Sequence, residues 1–338
     1  MRTGFQYWRT PVKLIENFDI DLESIVNMIV QEKATKVGLQ LPEGFKRQAM
    51  KIAGYIEDNT DAETLISGNP CYGACDLDIQ LVKDTDLVFH FGHSRLEPFE
   101  NVVYIEAPSH LDISNVVFQA ADKLKGKRIG LLTTVQHVHK LEEVRKILEK
   151  KGFETIIGKG DGRIVHPGQV LGCNFSAAYD ITCEEYLYIG GGKFHPLGIA
   201  LSTGKPILCA NPFTSSVEYI DLKQIMKQRY AAIAKTMEGK RFCILVSTKP
   251  GQERMELARN IRDIAREKGK EASIVTMDLI TPDQLLQFQA DAYVNTACPR
   301  IAIDEAGRFP APMLTPPEFE IVLGIREWEE LVFDEIRE

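Results

Sequence analysis

Gly126-Lys127-Arg128-Ile129-Gly130-Leu131-Leu132 and Gly239-Lys240-Arg241-Phe242-Cys243-Ile244-Leu245-Val246 repeat one local design. In each, a glycine closes a helical stretch, two basic residues follow, and an apolar run of strand character begins. Thr35-Lys36-Val37-Gly38-Leu39 is a weaker echo nearer the amino end. The flanking pattern repeats as well. Amphipathic helices are expected before these strands, at residues 21–33, 116–124 and 228–237, and after them, running to residue 56 and over 140–150 and 254–267. Further strands are expected at 64–66, 87–91 and 102–105, then at 154–157, 186–189 and 206–209, then at 272–276, 292–295 and, more weakly, 319–323. Alternation of strands and helices with short connections builds parallel sheets. The expected fold class is therefore α/β: three repeated small parallel-sheet domains, 1–108, 109–215 and 216–338, arranged around a pseudo-threefold axis. One long doubly wound sheet is the competing architecture.

A chain of 338 residues fits that division, because single cores rarely grow so large. Hydrophobic residues make up 44% and charged residues 26%, which is ordinary for a globular protein. The net charge of -8 argues against a nucleic-acid backbone binder. Residues 1–10 lack the apolar core of a signal peptide, and no run approaches the roughly 18 apolar residues of a membrane helix. A cytoplasmic location is expected, with no membrane and no direct nucleic-acid partner. The seven cysteines then read as reduced thiols rather than a disulfide framework.

Where those cysteines fall is informative. Asn69-Pro70-Cys71-Tyr72-Gly73-Ala74-Cys75-Asp76-Leu77-Asp78 packs two thiols into a loop without helical or strand period. Asp78 stands where a C-x3-C-x2-C cluster motif would carry its third cysteine, so this loop alone cannot hold an iron–sulfur cluster. Ligands of parallel sheets bind beyond the carboxyl ends of the strands. Cys71 and Cys75 lie at such an edge in the first unit, Cys173 in Gly172-Cys173-Asn174 of the second, and Cys298 in Ala297-Cys298-Pro299-Arg300 of the third. Three units around one axis would bring a thiol from each to one point. Three thiolates suit a 4Fe-4S cluster with one iron left open; zinc with three cysteines and water is the alternative. Cys209 and Cys243 sit in apolar runs and read as small buried hydrophobes, and Cys183 reads as structural.

With Gln40-Leu41-Pro42-Glu43-Gly44, Tyr72-Gly73-Ala74-Cys75-Asp76, Thr133-Thr134-Val135-Gln136-His137, Gly172-Cys173-Asn174, Gly190-Gly191-Gly192-Lys193-Phe194-His195-Pro196 and Ala297-Cys298-Pro299-Arg300, the chain resembles the diphthamide biosynthesis family over nearly its whole length, in particular its archaeal homodimeric synthases. The resemblance implies Cys75, Cys173 and Cys298 as ligands of a 4Fe-4S cluster and leaves Cys71 as an extra thiol. It implies S-adenosylmethionine as co-substrate, cleaved reductively between sulfur and the methionine γ-carbon. The resulting 3-amino-3-carboxypropyl radical adds to C2 of a histidine of translation elongation factor 2, the first step of diphthamide biosynthesis. It further implies a homodimer and an electron donor. No catalytic residue is assigned beyond the cluster and its ligands.

Position at the strand ends nominates Gln40, Glu43, Thr134, Gln136, Ser247 and Gln252 as contacts to S-adenosylmethionine, and Gly190 and Gly191 for close backbone approach to its adenosine. Lys193 and Arg300 could hold a carboxylate, with solvent-facing charge as the plainer reading. His195 is a packing or cofactor residue. The aromatic amino end around Phe5, Tyr7 and Trp8 is a candidate dimer surface. Three rivals remain: a quinolinate-synthase-like 4Fe-4S dehydratase, a non-catalytic partner subunit, and an iron-free binding protein of hinged α/β domains.

Overall fold

A computed structural model of the chain describes residues 17–96 and 98–337. Phe5, Tyr7 and Trp8 lie outside them. Three sheets form, and all three use the same strand order. The first is β2-β1-β3-β4, built from β1 (Lys36–Gln40), β2 (Glu63–Ile66), β3 (Leu87–Phe91) and β4 (Val102–Ile105), with helices α1 (Leu22–Glu32), α2 (Ala49–Asn59) and α3 (Ile79–Asp84) between the strands. The second is β6-β5-β7-β8-β9. Its elements are α4 (Ser114–Ala121), β5 (Arg128–Thr133), α5 (Leu141–Lys150), β6 (Glu154–Ile156), β7 (Glu185–Ile189), α6 (Phe194–Thr203), β8 (Ile207–Asn211) and β9 (Ser216–Tyr219). The third is β11-β10-β12-β13, from α7 (Lys223–Thr236), β10 (Arg241–Ser247), α8 (Met255–Glu267), β11 (Glu271–Met277), α9 (Pro282–Leu285), β12 (Ala292–Asn295), α10 (Pro299–Ile303), β13 (Met313–Leu314) and α11 (Pro316–Val322). Strand pairing is parallel throughout except for β9, which runs antiparallel to β8.

The Gly-Lys-Arg turns have a physical partner that the sequence pattern did not reveal. The residue just ahead of each sheet's third strand in chain order carries a carboxylate, and it accepts the two N–H groups where the first strand begins. Asp86 takes Thr35 and Lys36, Glu184 takes Lys127 and Arg128, and Asp291 takes Lys240 and Arg241. Those hydrogen bonds hold all three carboxyl groups below their usual range. A depressed carboxylate stabilises the fold above its unfolded pKa, about 3.9 for Asp and 4.3 for Glu, and loses that effect as pH falls through the folded value. The triple variant D86N/E184Q/D291N is expected to melt below the parent at about pH 6, with the gap narrowing as pH falls below the unfolded values of about 4. Thermal melts across that range check it; a gap independent of pH would remove the charge from the account.

Each sheet has its own core. Leu22, Ile25 and Ile29 of α1 and Ile52 and Ile56 of α2 close over β1 and β3. Leu141, Val144 and Leu148 of α5 pack on Ile129, Leu131 and Leu187. Ala258, Ile261 and Ala265 of α8 pack on Phe242, Ile244 and Val294. By packing density the chain divides into two compact units. Of the described residues, one holds 17–72, 78–93 and 99–111, and the other 73–77, 94–96, 98 and 112–337.

Several expected elements differ. Residues 319–323 are not a strand: Thr315 opens a capping box with Glu318, Pro316 and Pro317 occupy the first helical turn, and α11 results. The glycine run before Phe194 leads into α6, because Pro196 falls early enough in the helix to need no backbone N–H. Cys209 is buried, but Cys243 is only half-buried.

Candidate metal centre

Cys75, Cys173 and Cys298 all belong to the second compact unit. Cys75 lies in a single helical turn, Ala74–Asp76. That turn packs on another, Pro250–Gln252, which follows β10. A Cβ added to Gly251 would come within 2.7 Å of the Cys75 Cβ and 2.8 Å of its Cα, so glycine is needed for this approach. The Gly251 carbonyl accepts a hydrogen bond from the Arg163 guanidinium at 3.0 Å. Gln252 Nε2 donates to Cys75 Sγ at 3.2 Å. Beside them Lys249 forms an ion pair with the buried Asp76. Burial opposes the Lys249 charge, yet Asp76 outweighs it and holds the lysine above its usual pKa.

Cys173 sits in a turn closed by reciprocal backbone bonds between Leu171 and Asn174. The carboxyl-terminal segment secures it. Ile336 N–H donates to the Cys173 carbonyl at 2.7 Å, and Asn174 Nδ2 donates to the Ile336 carbonyl at 3.2 Å. Cys298 joins β12 to α10, and its carbonyl accepts from Asn295 Nδ2 at 2.9 Å. Arg254 braces this loop from below, donating to the carbonyls of Thr296 (2.6 Å) and Ala297 (3.3 Å) while its other nitrogens grip Asp334. One arginine thus links the Cys298 loop to the same terminal segment that holds Cys173. The two loops also touch directly: a Cβ on Gly172 would meet the Phe194 ring at 2.9 Å, and the Arg300 guanidinium lies over that ring, 4.6 Å from its centroid.

The three thiols converge electrostatically. Burial pushes each up to about 12, and after burial a neighbouring thiol is the next cause: Cys298 acts on Cys75, Cys75 on Cys173, and Cys173 on Cys298. Ionising such a triad is costly unless a cation takes the place of the protons, and metal ligands must be thiolates. The donor set fits a cluster: three sulfurs, an N–H aimed at one of them, and cationic Arg163, Arg254 and Arg300 acting on them. Asp76 is ion-paired rather than free to compete.

The nominated positions distribute as follows. Gln252 touches Cys75, and Ser247 is buried at the end of β10, its hydroxyl accepting from Lys249 N–H. Thr134 and Gln136 are half-buried after β5. Gly190, with φ +152, is buried at the end of β7, and Gly191 approaches the exposed Phe213 ring. His137, which the sequence reading only quoted, is buried, lies edge-on to Phe213, and leaves Nδ1 without a hydrogen-bond partner among the described residues. His195 stacks on Tyr188 at 6.2 Å. Lys193 pairs with Glu218 at the surface, and Arg300 pairs with Asp304. Gln40 and Glu43 belong to the first compact unit, where Glu43 pairs with Lys46 and Gln40 is fully buried. Asp76, Arg163, Lys249, Arg254 and Asp334 were not singled out beforehand. Only Asp76 had a local signal, its place beside Cys75.

A family model described as "Putative diphthamide synthesis protein" matches residues 41–332. The chain is 39% identical over 325 residues to the 2-(3-amino-3-carboxypropyl)histidine synthase of Pyrococcus horikoshii, covering 94% of both proteins. It is 29% identical over 360 residues to the Methanocaldococcus jannaschii protein of the same name, covering 98% of this chain and 97% of that one. The crystal structure of Dph2 from Pyrococcus horikoshii with a 4Fe-4S cluster superposes with a TM-score of 0.90 at 39% identity, over 94% of each chain. No helix among the described residues is long and apolar enough to cross a membrane. From fold, motifs and these relatives together, the chain belongs to the diphthamide synthesis family.

Proposed function

We propose that this chain is a 4Fe-4S transferase that moves the 3-amino-3-carboxypropyl group of S-adenosylmethionine to C2 of a histidine on elongation factor 2. The convergence of Cys75, Cys173 and Cys298 carries the reading. When bound, the cluster supplies the single electron for cleavage of the bond between sulfur and the γ-carbon, and its iron without a protein ligand leaves room for the co-substrate.

The chain's own residues bind, orient and exclude water. Gln252 fixes the Cys75 sulfur, while Arg254 and the terminal segment hold the other two loops. The carboxyl edge of the second sheet is the adenosine end of the site: Gly190 and Gly191 keep the backbone low, Phe213 offers a ring for stacking, and His137 offers an unpaired ring nitrogen. Thr134, Gln136 and Ser247 are placed to meet the methionine end. Three sheets share one strand order, and one cluster ligand comes from each of segments 1–108, 109–215 and 216–338. A homodimer, an external electron donor and a cytoplasmic location complete the proposal.

Anaerobic incubation with S-adenosylmethionine, dithionite and elongation factor 2 tests it. Methylthioadenosine and a mass gain on one factor histidine are the expected products. Reduced, iron-loaded protein that forms no methylthioadenosine would defeat the reading.

A further inference from the structure

Cys71, the thiol left over in the first unit, has neighbours that the three-cysteine centre does not use. His90 lies at the carboxyl end of β3, and Gly92, at φ +80, turns the chain so that His93 comes back beside it. His90 Nε2 lies 2.9 Å from His93 Nδ1 and 4.0 Å from Cys71 Sγ, and the three donor atoms all lie within 4.8 Å of one another. Cys71 and His90 are buried and His93 is half-buried.

The ring of His90 is oriented for ligation. Gln40 Oε1 accepts the Asp78 N–H at 3.1 Å, which identifies it as the carbonyl oxygen. The same oxygen lies 3.0 Å from His90 Nδ1, so that nitrogen is the one that bears hydrogen and donates. Nε2 is then left with its lone pair, facing the other two donors. A hydrogen bond from the far ring nitrogen to a fixed acceptor is how metal-ligating histidines are held. Cys71 is anchored through its backbone, whose N–H donates to the Glu43 carboxylate.

We propose that Cys71, His90 and His93 form a second metal site for a zinc-class divalent cation, with the fourth position left to water. One thiolate and two imidazoles suit such an ion better than magnesium or calcium, which prefer oxygen. A tetrahedral zinc ion holds its N and S donors roughly 3.3–3.6 Å apart. The observed spacings bracket that range, so closure on the ion requires only small side-chain movements. Ion binding releases one net proton, the Cys71 thiol proton, to solvent; His93 stays neutral, losing the Nδ1 hydrogen it otherwise donates to His90 while its Nε2 takes up one, so that Nδ1 can face the ion. The ion would then tie the Cys71 loop to the end of β3.

Zinc K-edge absorption on the anaerobically purified, iron-loaded full chain, given zinc ion and then dialysed, tests this without interference from iron. The expected result is about one zinc per chain, with one sulfur near 2.3 Å and two imidazole nitrogens near 2.0–2.1 Å. Cys71→Ser and His93→Gln should each weaken zinc binding by more than the roughly 10–100-fold typical of losing an outer partner, with iron content unchanged. His93→Gln, at the half-buried position, serves if the Cys71 variant does not fold. Failure of the parent to retain zinc overturns the proposal. So does a three-sulfur shell, which would place zinc on the cluster cysteines, or zinc affinity unaltered in both variants.

Discussion

Replacing Cys75, Cys173 or Cys298 with alanine, one at a time, is expected to lower bound iron from about four per chain to near zero and to abolish methylthioadenosine formation. Each ligand comes from a different loop, and each thiol's nearest electrostatic neighbour after burial is another member of the trio. On the proposed assignment, two thiolates do not retain a cluster that needs all three. Cys183→Ala, Cys209→Ala and Cys243→Ala are the controls. These residues sit within or beside the strands of sheets two and three, Cys183 packing with Tyr186 and Cys209 lying in β8, and their removal should leave iron in place. Iron and sulfide analysis with the visible absorption band checks all six variants. A trio variant that kept its iron and its colour would sink the ligand assignment, whatever its activity.

The repeat was legible because a glycine stop, a basic pair and an apolar run are local features, and β5 and β10 form where that pattern places them. Elements whose cause is not local were misread. Phe319 and Ile321 look like strand residues, but the cap at Thr315 and two prolines in the first turn commit the segment to α11. The antiparallel β9 alternates over only four residues, with Val217 and Tyr219 on the core, too short a run to read alone, and is held by pairing with β8. The site divides in the same way. Loops that end parallel strands are readable as places where cysteines can gather. The groups that hold those loops are not: Lys249 reaches Asp76 across 173 residues of sequence and Arg254 reaches Asp334 across 80, and no periodicity encodes such pairs.

The second large effect is expected at a buried ion pair that includes no thiol. Arg229 of α7 and Glu318 of α11 form a two-pronged ion pair, with Nε to Oε1 at 2.7 Å and Nη2 to Oε2 at 2.5 Å, and only 3% and 2% of these residues is exposed. Two of the three remaining guanidinium hydrogens go to the carbonyls of Ala302 in α10 and Met313 in β13. One side chain therefore joins α7, α10, β13 and α11. Arg229→Ala leaves a buried carboxylate uncompensated and two carbonyls without their donor, which should cost about 3–5 kcal/mol. Melting should fall by roughly 2–4 °C for each kcal/mol lost. Arg229→Met with Glu318→Leu removes both charges and should recover only the part of that loss due to the uncompensated carboxylate, because the Thr315 N–H and the Ala302 and Met313 carbonyls stay without their partners. Thermal and denaturant unfolding of Arg229→Met, Glu318→Leu and the two combined measure the coupling, beside Arg229→Ala. Because α10 begins directly after Cys298, the single variants should also release iron at a lower temperature than the parent. An Arg229→Ala protein within about 1 kcal/mol of the parent would show that the pair carries no such weight.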